Sequence, residues 1–259
     1  MVMTARSIDW WHGVSAAVAL NNQIVVAAPA VDSAWSGILT AHRTTTGWIS
    51  RRIPIRAGLP PVGVALAGTV PRPLLFYHDV VSPDGGKAVY LRELALDSGE
   101  WGAERLIDSL RNGGLNWPLA VQSPDKTVHV VFAFTGDNRG TESLVHLSSA
   151  DVVSWQVNRL PLNVRARGLA VAADAESSVQ IVMQTPLFDG LASTRATRAG
   201  FAPIEQLSFA AAIGSSPNLV PVGSDTLIMT WTVHATSVFN NEAVFFPVTL
   251  VSRRTRTCR

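Results

Sequence analysis

A tryptophan followed four residues later by an arginine recurs along this 259-residue chain, with an aliphatic residue directly after each arginine. The copies begin at Trp48, Trp101 and Trp155, and a degenerate copy without the arginine begins at Phe201. Successive copies are roughly fifty residues apart, a period typical of chains that stack one supersecondary unit several times. The repeat therefore predicts one architecture for the whole chain.

Three short strand-like segments precede each tryptophan, and no long segment shows a helical period. The predicted first strands are 16–20, 62–66, 119–121, 169–172 and 219–222. The predicted second strands are 23–28, 74–78, 128–133, 179–184 and 227–232. The predicted third strands are 37–43, 88–94, 143–148, 193–197 and 243–251, and the tryptophan segment is the fourth. Four strands per unit at this period predict an all-β fold, a five-bladed β-propeller.

The fifth unit has no tryptophan strand of its own, because residues 252–259 form a basic tail. The segment 5–11, which contains Trp10 and Trp11, has the character of the missing strand. A strand from the start of the chain that completes the last blade would close the ring and cover its exposed sheet edges. We therefore expect residues 1–259 to form a single propeller domain.

The composition excludes several classes of function. Charged residues make up 15% of the chain and the net charge is only +2, so a nucleic-acid partner is not expected. No stretch reaches the ~18 apolar residues of a membrane span, and the start lacks a signal-peptide pattern, which predicts a soluble, cytoplasmic protein. The single cysteine, Cys258, cannot build a cysteine cluster, and no glycine-rich phosphate loop is present, so no metal or cofactor is expected. The oligomeric state is left open.

The segment 147–155, with Ser149 and Asp151 before Trp155, resembles an Asp-box turn, and segments 44–48 and 97–101 resemble degenerate copies. With the phrases 117–121 and 128–131, these motifs make the chain similar to the sialidase-like propeller superfamily, and in style to fucose-lectin-like and tachylectin-like propellers. The resemblance implies that the Asp-boxes serve the fold and that the ligand is a carbohydrate. Arg52 shares the frame of the other repeated arginines, which favours a structural role over carboxylate binding.

One face of a propeller carries the loops that lead into the first strands and the loops that join second to third strands. Loops on a rigid scaffold are where function concentrates. The residues predicted to bind a ligand there are Trp35, Arg56, Tyr77, Asn116, Trp117, Asp137, Arg165, Arg167 and Asn218. The residues predicted for catalysis are His12, His78, Asp79 and His234, since histidine beside a carboxylate suits acid–base chemistry.

Each of these residues also has a structural interpretation. The histidines would cap strand ends, the arginines would be solvated loop charges, and the two tryptophans would pack between blades. The mid-strand histidines His129 and His146 are interpreted as packed or surface residues. Trp155 is expected to be buried, so that its removal would cost roughly 3–5 kcal/mol. Replacement of His78 or His234 by alanine is expected to abolish function and leave folding intact.

Two functional hypotheses follow, with a protein-binding scaffold as a third that only the fold supports. The resemblance favours a lectin-like propeller that recognises a small polar or glycan ligand on one face. The alternative is an enzyme with one site at the mouth of the central channel: a histidine-based lyase, hydrolase or isomerase, or a glycoside hydrolase. Divergent residues at the second-strand exits favour a single site; those residues are Asp32, Asp79, Asp137, Asp189 and His234. The lack of acidic residues on the predicted first strands disfavours a glycoside hydrolase.

Overall fold

The structure is a computed structural model, and it describes part of the chain. The described residues are 7–8, 15–18, 23–31, 35–55, 64–67, 72–80, 87–110, 114–115, 118–135, 142–162, 166–174, 177–185, 190–207, 213–222, 226–236 and 243–253. Within these ranges the regular elements are all β-strands, and they pair antiparallel. The all-β prediction is confirmed.

The first two sheets occupy the N-terminal part of the chain. The first has the order β1-β3-β4-β5 with β2 paired to β3, and the second has the order β10-β8-β7-β6 with β9 paired to β8. The strands of the first are β1 (Ser7–Ile8), β2 (Ser15–Val18), β3 (Ile24–Val31), β4 (Ser36–Thr44) and β5 (Gly47–Pro54). Those of the second are β6 (Val64–Ala67), β7 (Leu74–Val80), β8 (Lys87–Ala95), β9 (Glu100–Trp101) and β10 (Arg105–Leu110).

Three further sheets follow among the described residues, in the orders β11-β13-β14-β15 with β12 on β13, β16-β17-β18-β19 with β20 on β18, and β21-β22-β23. The third contains β11 (Gly114–Leu115), β12 (Leu119–Gln122), β13 (Val128–Thr135), β14 (Glu142–Ser149) and β15 (Gln156–Leu162). The fourth contains β16 (Arg167–Ala173), β17 (Val179–Thr185), β18 (Gly190–Thr197), β19 (Gly200–Phe201) and β20 (Glu205–Leu207). The last contains β21 (Ile213–Val222), β22 (Thr226–Thr236) and β23 (Ala243–Arg253).

The chain divides into two compact units. The first comprises Met1–Gln122 with Val130–Asp137, and the second comprises Ser123–His129 with Asn138–Arg259. In the first unit β6 packs against β2 and β12, and in the second β16 packs against β21. The first strands of successive sheets are therefore neighbours within each unit, as the repeat predicts.

The predicted strands are found in the predicted order, and several continue further than expected. β7 extends to Val80, two residues beyond the predicted end, because it stays paired with β8 as far as Lys87. β22 extends to Thr236 for the same reason, paired with β23 as far as Ala243. Residues that were expected in loops therefore lie within strands.

The start of the chain differs from its predicted position. Ser7 and Ile8 pair with Val31 and Ala30 of β3 in the first sheet. β2 pairs with β3 only as far as Ala27, so the end of that edge offers backbone groups to a second short strand. The rest of segment 5–11 lies outside the described residues, and closure of a fifth blade stays a prediction, as does the count of five blades.

Each unit has a hydrophobic core formed between the facing surfaces of two sheets. In the first unit, Val25, Ala27 and Ile38 of the first sheet pack with Leu75 and Tyr77 of the second. The corresponding core of the second unit joins the fourth and fifth sheets through Ala170, Ala172, Val182, Leu191, Leu219, Met229 and Trp231. Burial of such facing surfaces is the main favourable term in folding, at about 25 cal/mol per Å² of apolar area.

The repeated aromatic residue joins neighbouring sheets. The Trp101 indole Nε1–H donates to Thr40 Oγ1 of the first sheet at 2.8 Å. In the second unit the Phe201 ring meets the His146 ring of the third sheet edge-on, with centroids 6.1 Å apart. Thr40 and His146 hold the same register, since each lies opposite the residue three positions after a repeated tryptophan. In these two copies the repeated aromatic residue thus packs between successive sheets.

Burial of the repeated tryptophans is less complete than predicted. Trp48 is 39% exposed, and Trp101 and Trp155 are half-buried. Each of these rings therefore keeps part of its surface exposed to solvent. We therefore lower the expected cost of removing Trp155 to about 2 kcal/mol, below the range for a fully buried ring.

The turns between third and fourth strands are built locally. Asp151 Oδ1 accepts hydrogen bonds from the Val153 and Ser154 N–H groups at 2.9 and 2.8 Å. These bonds, together with one donated by Ser149 Oγ, lower the pKa of Asp151 to about 2. In the sheets that lack this aspartate a threonine replaces it: Thr44 and Thr197 bond within turns that end at Gly47 and Gly200, both with positive φ.

Candidate functional site

In the described part of the first unit, one strand end combines buried polar residues with a contact to a neighbouring sheet. This is the C-terminal end of β7, where His78 and Asp79 are 2% and 5% exposed. Every residue from Pro73 to Asp79 is buried, because β6 pairs on one side of β7 and β8 on the other. The candidate site therefore lies on β7, a strand held by pairing on both of its edges.

His78 and Asp79 lie on opposite faces of β7, because successive side chains of a strand alternate. His78 lies opposite Val89, and its ring meets the Phe132 ring of β13 edge-on with centroids 5.2 Å apart. Asp79 lies opposite Ala88, on the face that carries Tyr77. The joint action of His78 and Asp79 in acid–base chemistry stays a prediction.

The contact of His78 with Phe132 shows how the ends of β7 and β13 are aligned. His78 is two residues from the end of β7, and Phe132 is three residues from the end of β13. The exits of these two second strands are therefore side by side. On its other face β7 packs through Tyr77 on the core that includes Val25 and Ala27 of β3. β7 therefore has neighbours on both faces, β13 through His78 and a core shared with β3 through Tyr77.

Tyr77 is a core residue, which corrects its prediction as a ligand contact. Its side chain is fully buried and stacks with that of Tyr90, with ring centroids 5.8 Å apart. Tyr77 Oη donates to Glu104 Oε2 and accepts from Arg92 Nε at 3.1 Å. Burial, with the Glu104 hydrogen bond next in importance, raises the pKa of Tyr77 well above its ordinary value.

Trp35 is half-buried and one of its faces is covered. The Arg52 guanidinium carbon lies 5.1 Å from the ring centroid, a cation–π arrangement. Gly37 lies against the same ring, and a Cβ atom there would be 2.6 Å from a Trp35 ring carbon. The contact supports the packing interpretation of Trp35, and ligand stacking stays a prediction for the opposite face. It also gives the repeated arginine Arg52 a structural partner.

The remaining predicted site residues are divided between strands and undescribed segments. Asn218 is exposed in β21, where it pairs with Thr230. The backbones of Arg167 and His234 lie in β16 and β22, opposite Gln184 and Ile213. Their side chains are outside the described part of the structure, as are the residues His12, Arg56, Asn116, Trp117, Asp137 and Arg165 as a whole. The roles of these residues stay predictions.

Two buried polar groups of the second unit were not singled out from the sequence as candidate site residues. Glu142, at the first residue of β14, is 3% exposed and accepts a hydrogen bond from the Ala166 N–H. His129 and His146 are fully buried and hydrogen-bonded to each other. The surface interpretation of these two histidines is wrong and the packed one is confirmed. The two histidines lie on neighbouring strands of one sheet, and their contact depends on strand register, which the sequence alone does not show.

Across the ranges that the structure describes, no three His, Cys, Asp or Glu side chains are grouped so that they could hold a metal ion. In the same ranges no helix could cross a membrane. What the described site offers is a buried carboxylate and a buried imidazole at a strand end.

No protein-family model and no curated protein matches the chain, whereas 146 chains of solved structures resemble it. A protein of unknown function from Dyadobacter fermentans has a TM-score of 0.60 at 13% identity, over 95% of this chain and 85% of that one. The α-L-arabinanase of Penicillium chrysogenum, solved with arabinobiose, has a TM-score of 0.59 at 13% identity, over 91% and 80%. The Hadza microbial sialidase Hz136 has a TM-score of 0.59 at 15% identity, over 89% of this chain and 57% of that one.

These similarities give the chain a β-propeller fold. At such low identity they establish the fold alone. The two named proteins among the three are enzymes, and the similarity to lectin propellers that the motifs suggested is not found in them.

Proposed function

We propose that the chain is a glycan-processing enzyme, a glycoside hydrolase with one site at the exits of β3, β7 and β13 in the first unit. The observation that carries the proposal is the packing of β7 between its two neighbours, through Tyr77 on one face and His78 against Phe132 on the other. This packing supports three adjacent second-strand exits. Each exit carries an aspartate.

The three aspartates lie close to the ends of three second strands along the chain. Asp32 follows the last residue of β3, Asp79 precedes the last residue of β7, and Asp137 comes two residues after the end of β13. Asp32 and Asp137 lie outside the described residues, and only their positions along the chain enter the argument. The lack of acidic residues on the predicted first strands was the argument against a glycoside hydrolase. Aspartates close to the ends of three second strands along the chain would supply the carboxyl groups instead.

Hydrolysis of a glycosidic bond needs two of these carboxyl groups. One, in its acid form, gives a proton to the glycosidic oxygen as the bond from the anomeric carbon to that oxygen breaks. The other, as carboxylate, takes a proton from the attacking water or forms a glycosyl ester that water then hydrolyses. The products are a sugar hemiacetal and the released alcohol.

Multivalent lectin binding has less support in the described residues. A lectin with repeated sites needs the same polar and aromatic residues in each blade, and the strand exits differ from one sheet to the next. Of the predicted sugar-contacting residues, Tyr77 is in the core and Trp35 has one face covered by Arg52. A single site with its own set of residues fits these observations better.

The test is turnover of a panel of aryl glycosides, including α-L-arabinofuranosides and sialosides, and release of reducing sugar from polysaccharides such as arabinan. The matched variants are D32N, D79N and D137N. We expect the wild type to hydrolyse one coherent class, and two of the three variants to lower kcat by roughly 10²- to 10⁴-fold, as loss of acid–base catalysis does.

The control is D97N, since Asp97 is an exposed aspartate in the turn between β8 and β9, at the other end of the second sheet. It should retain full activity. Glycan binding without turnover by the folded wild type would restore the lectin hypothesis, and unchanged kcat in all three site variants would rule out this location.

A further inference from the structure

The second unit contains a buried chain of polar side chains that the proposed function does not use. Ser123, His129 and His146 are 3%, 0% and 0% exposed. Ser123 Oγ lies 2.6 Å from Asp125 Oδ1 and 3.1 Å from His129 Nε2. His129 Nδ1 lies 2.9 Å from His146 Nε2. The chain therefore runs from the turn before β13, through β13, to β14.

One arrangement of protons satisfies these contacts. The Ser123 hydroxyl donates to Asp125, because that bond is the shortest and its acceptor is charged. Ser123 Oγ then accepts from His129 Nε2–H, and His129 Nδ1 accepts from His146 Nε2–H. Both imidazoles are neutral in this arrangement. His146 Nδ1 is left as a buried acceptor without a hydrogen bond.

In this arrangement an added proton would either lack a hydrogen-bond acceptor or break an existing hydrogen bond. A proton on His146 Nδ1 would create a buried N–H and a buried charge with no acceptor. A proton on His129 Nδ1 would place two N–H groups against each other and break the bond between the histidines. The folded pair therefore resists protonation that a solvated histidine accepts near neutral pH.

The charges around the pair do not remove this cost. Asp125 and Asp174 raise the pKa of His129 and Arg198 lowers it, but burial is the largest effect and lowers it to about 4. Burial, and then His129, lower the pKa of His146 to about 3. Asn158, opposite His146 on β15, is uncharged. No carboxylate is among the influences on His146.

The pair also supports a contact between the third and fourth sheets. The ring of Phe201 rests edge-on against His146, as part of the hairpin 197–201 between β18 and β19. Asn158 Nδ2 donates to the Thr197 and Arg198 carbonyl oxygens at 3.1 and 3.2 Å. Arg198 donates to Thr127 Oγ1 at 3.1 Å, next to the start of the histidine chain. Movement of His146 would thus disturb the packing of this hairpin on the third sheet.

We propose that the His129–His146 pair is a proton-sensitive joint that holds the 197–201 hairpin on the third sheet near neutral pH and releases it on mild acidification. The open form exposes both histidines, which then take up protons at their ordinary affinity, whereas the closed form keeps them neutral. Each histidine therefore favours opening by up to roughly tenfold for every pH unit below 6.5, which is roughly 30-fold per histidine at pH 5.0.

The experiment is hydrogen exchange with mass spectrometry on the intact chain at pH 7.5 and pH 5.0, corrected for the intrinsic pH dependence of exchange. We expect amides in 190–207 to open at least roughly 30-fold more often at pH 5.0 in the wild type. The double variant H129Q/H146Q cannot titrate and should change less than threefold. H42Q, which removes a buried histidine of the first unit, should respond as the wild type does.

Equal protection of the hairpin at both pH values in the wild type would overturn the proposal, as would equal responses of wild type and double variant. If the double variant does not fold, the ¹⁵N resonances of the wild-type imidazoles decide instead. Neutral rings that gain protons only as the hairpin loses protection support the joint. Two rings that titrate near pH 6.5 with the hairpin still protected contradict it.

Discussion

At the scale of the residue, the hydrogen-bond partners of a polar side chain help to show whether it belongs to the core or to the candidate site. Tyr77 was a plausible ligand contact because it lies next to a predicted loop. The structure ties its hydroxyl to Glu104 and Arg92 inside the first unit. Asp79, two residues further on, is on the same face and one residue from the end of β7.

Replacing Tyr77 by phenylalanine should therefore affect stability and leave the proposed chemistry in place. Y77F leaves the half-buried Glu104 carboxylate with one donor fewer, which should lower the free energy of unfolding by about 1–2 kcal/mol. Urea denaturation gives this value. In an E104Q background the same substitution should cost less, because the charged acceptor is already gone. A cost that is the same in both backgrounds would show that the hydrogen bond contributes nothing.

At the scale of the element, the structure explains the sequence repeat as a joint between sheets. Trp101 packs on Thr40 in the third strand of the preceding sheet, and Phe201 packs on His146 in the same way. In two of the copies the residue three positions after the tryptophan contacts the hairpin of the next sheet. Arg51 does so through Glu100, with nitrogen–oxygen distances of 2.9 and 2.7 Å, and Asn158 does so through backbone oxygens. Because Glu100 is exposed, the ion pair contributes little.

A double-mutant cycle measures the tryptophan joint. W101F keeps most of the ring and removes its N–H, and T40V removes the acceptor and keeps a similar shape. We expect each single variant to cost about 1 kcal/mol or more, and the pair to show a coupling of about 0.5–1.5 kcal/mol.

The matched control is W48F combined with T40V. Trp48 starts the outer strand of the sheet that contains Thr40, where it lies opposite Arg43. This pair should be additive to within about 0.3–0.5 kcal/mol. Additive behaviour of the Trp101 pair would mean that the repeat is not held by this bond.

At the scale of the whole molecule, the sequence was informative about the fold and much less so about the site. Strand order could be predicted because alternation, β-branched residues and turn residues act over a few positions. Strand ends could not, because they depend on the partner: pairing with β8 carries β7 through His78 and Asp79 to Val80. The same error in length placed His234 in a loop, whereas its backbone lies in β22. Loops that meet in space leave no periodic signal, so no pattern predicted which residues share a site.

The pH dependence of stability is a second property of the whole molecule. The pKa values of His129 and His146 are lowered to about 4 and about 3, and that of His42 is lowered too. The unfolded chain, in which histidine titrates near 6.5, therefore binds more protons than the folded chain below that pH, and stability falls as pH falls. Asp125, with a pKa of about 2, loses its contribution only below pH ~4.

The free energy of unfolding should thus be highest above pH ~7 and fall in two stages, from pH ~6.5 to ~4 and again below pH ~4. Urea denaturation at constant ionic strength between pH 8 and pH 3 measures the profile. The double variant H129Q/H146Q should flatten most of the first stage and leave the second. A wild-type profile that is level from pH 7 to pH 5 would contradict the neutral assignment of the buried pair.

The bonds from Asn158 to the carbonyl oxygens of Thr197 and Arg198 have an evolutionary consequence. Main-chain oxygens are present whichever amino acids occupy the hairpin, so this joint constrains the asparagine and leaves its partner's side chains free to drift. Duplicated blades held in this way can lose their sequence likeness while they keep their spacing. The same tolerance would let distant homologues keep a common architecture long after alignment of their residues fails.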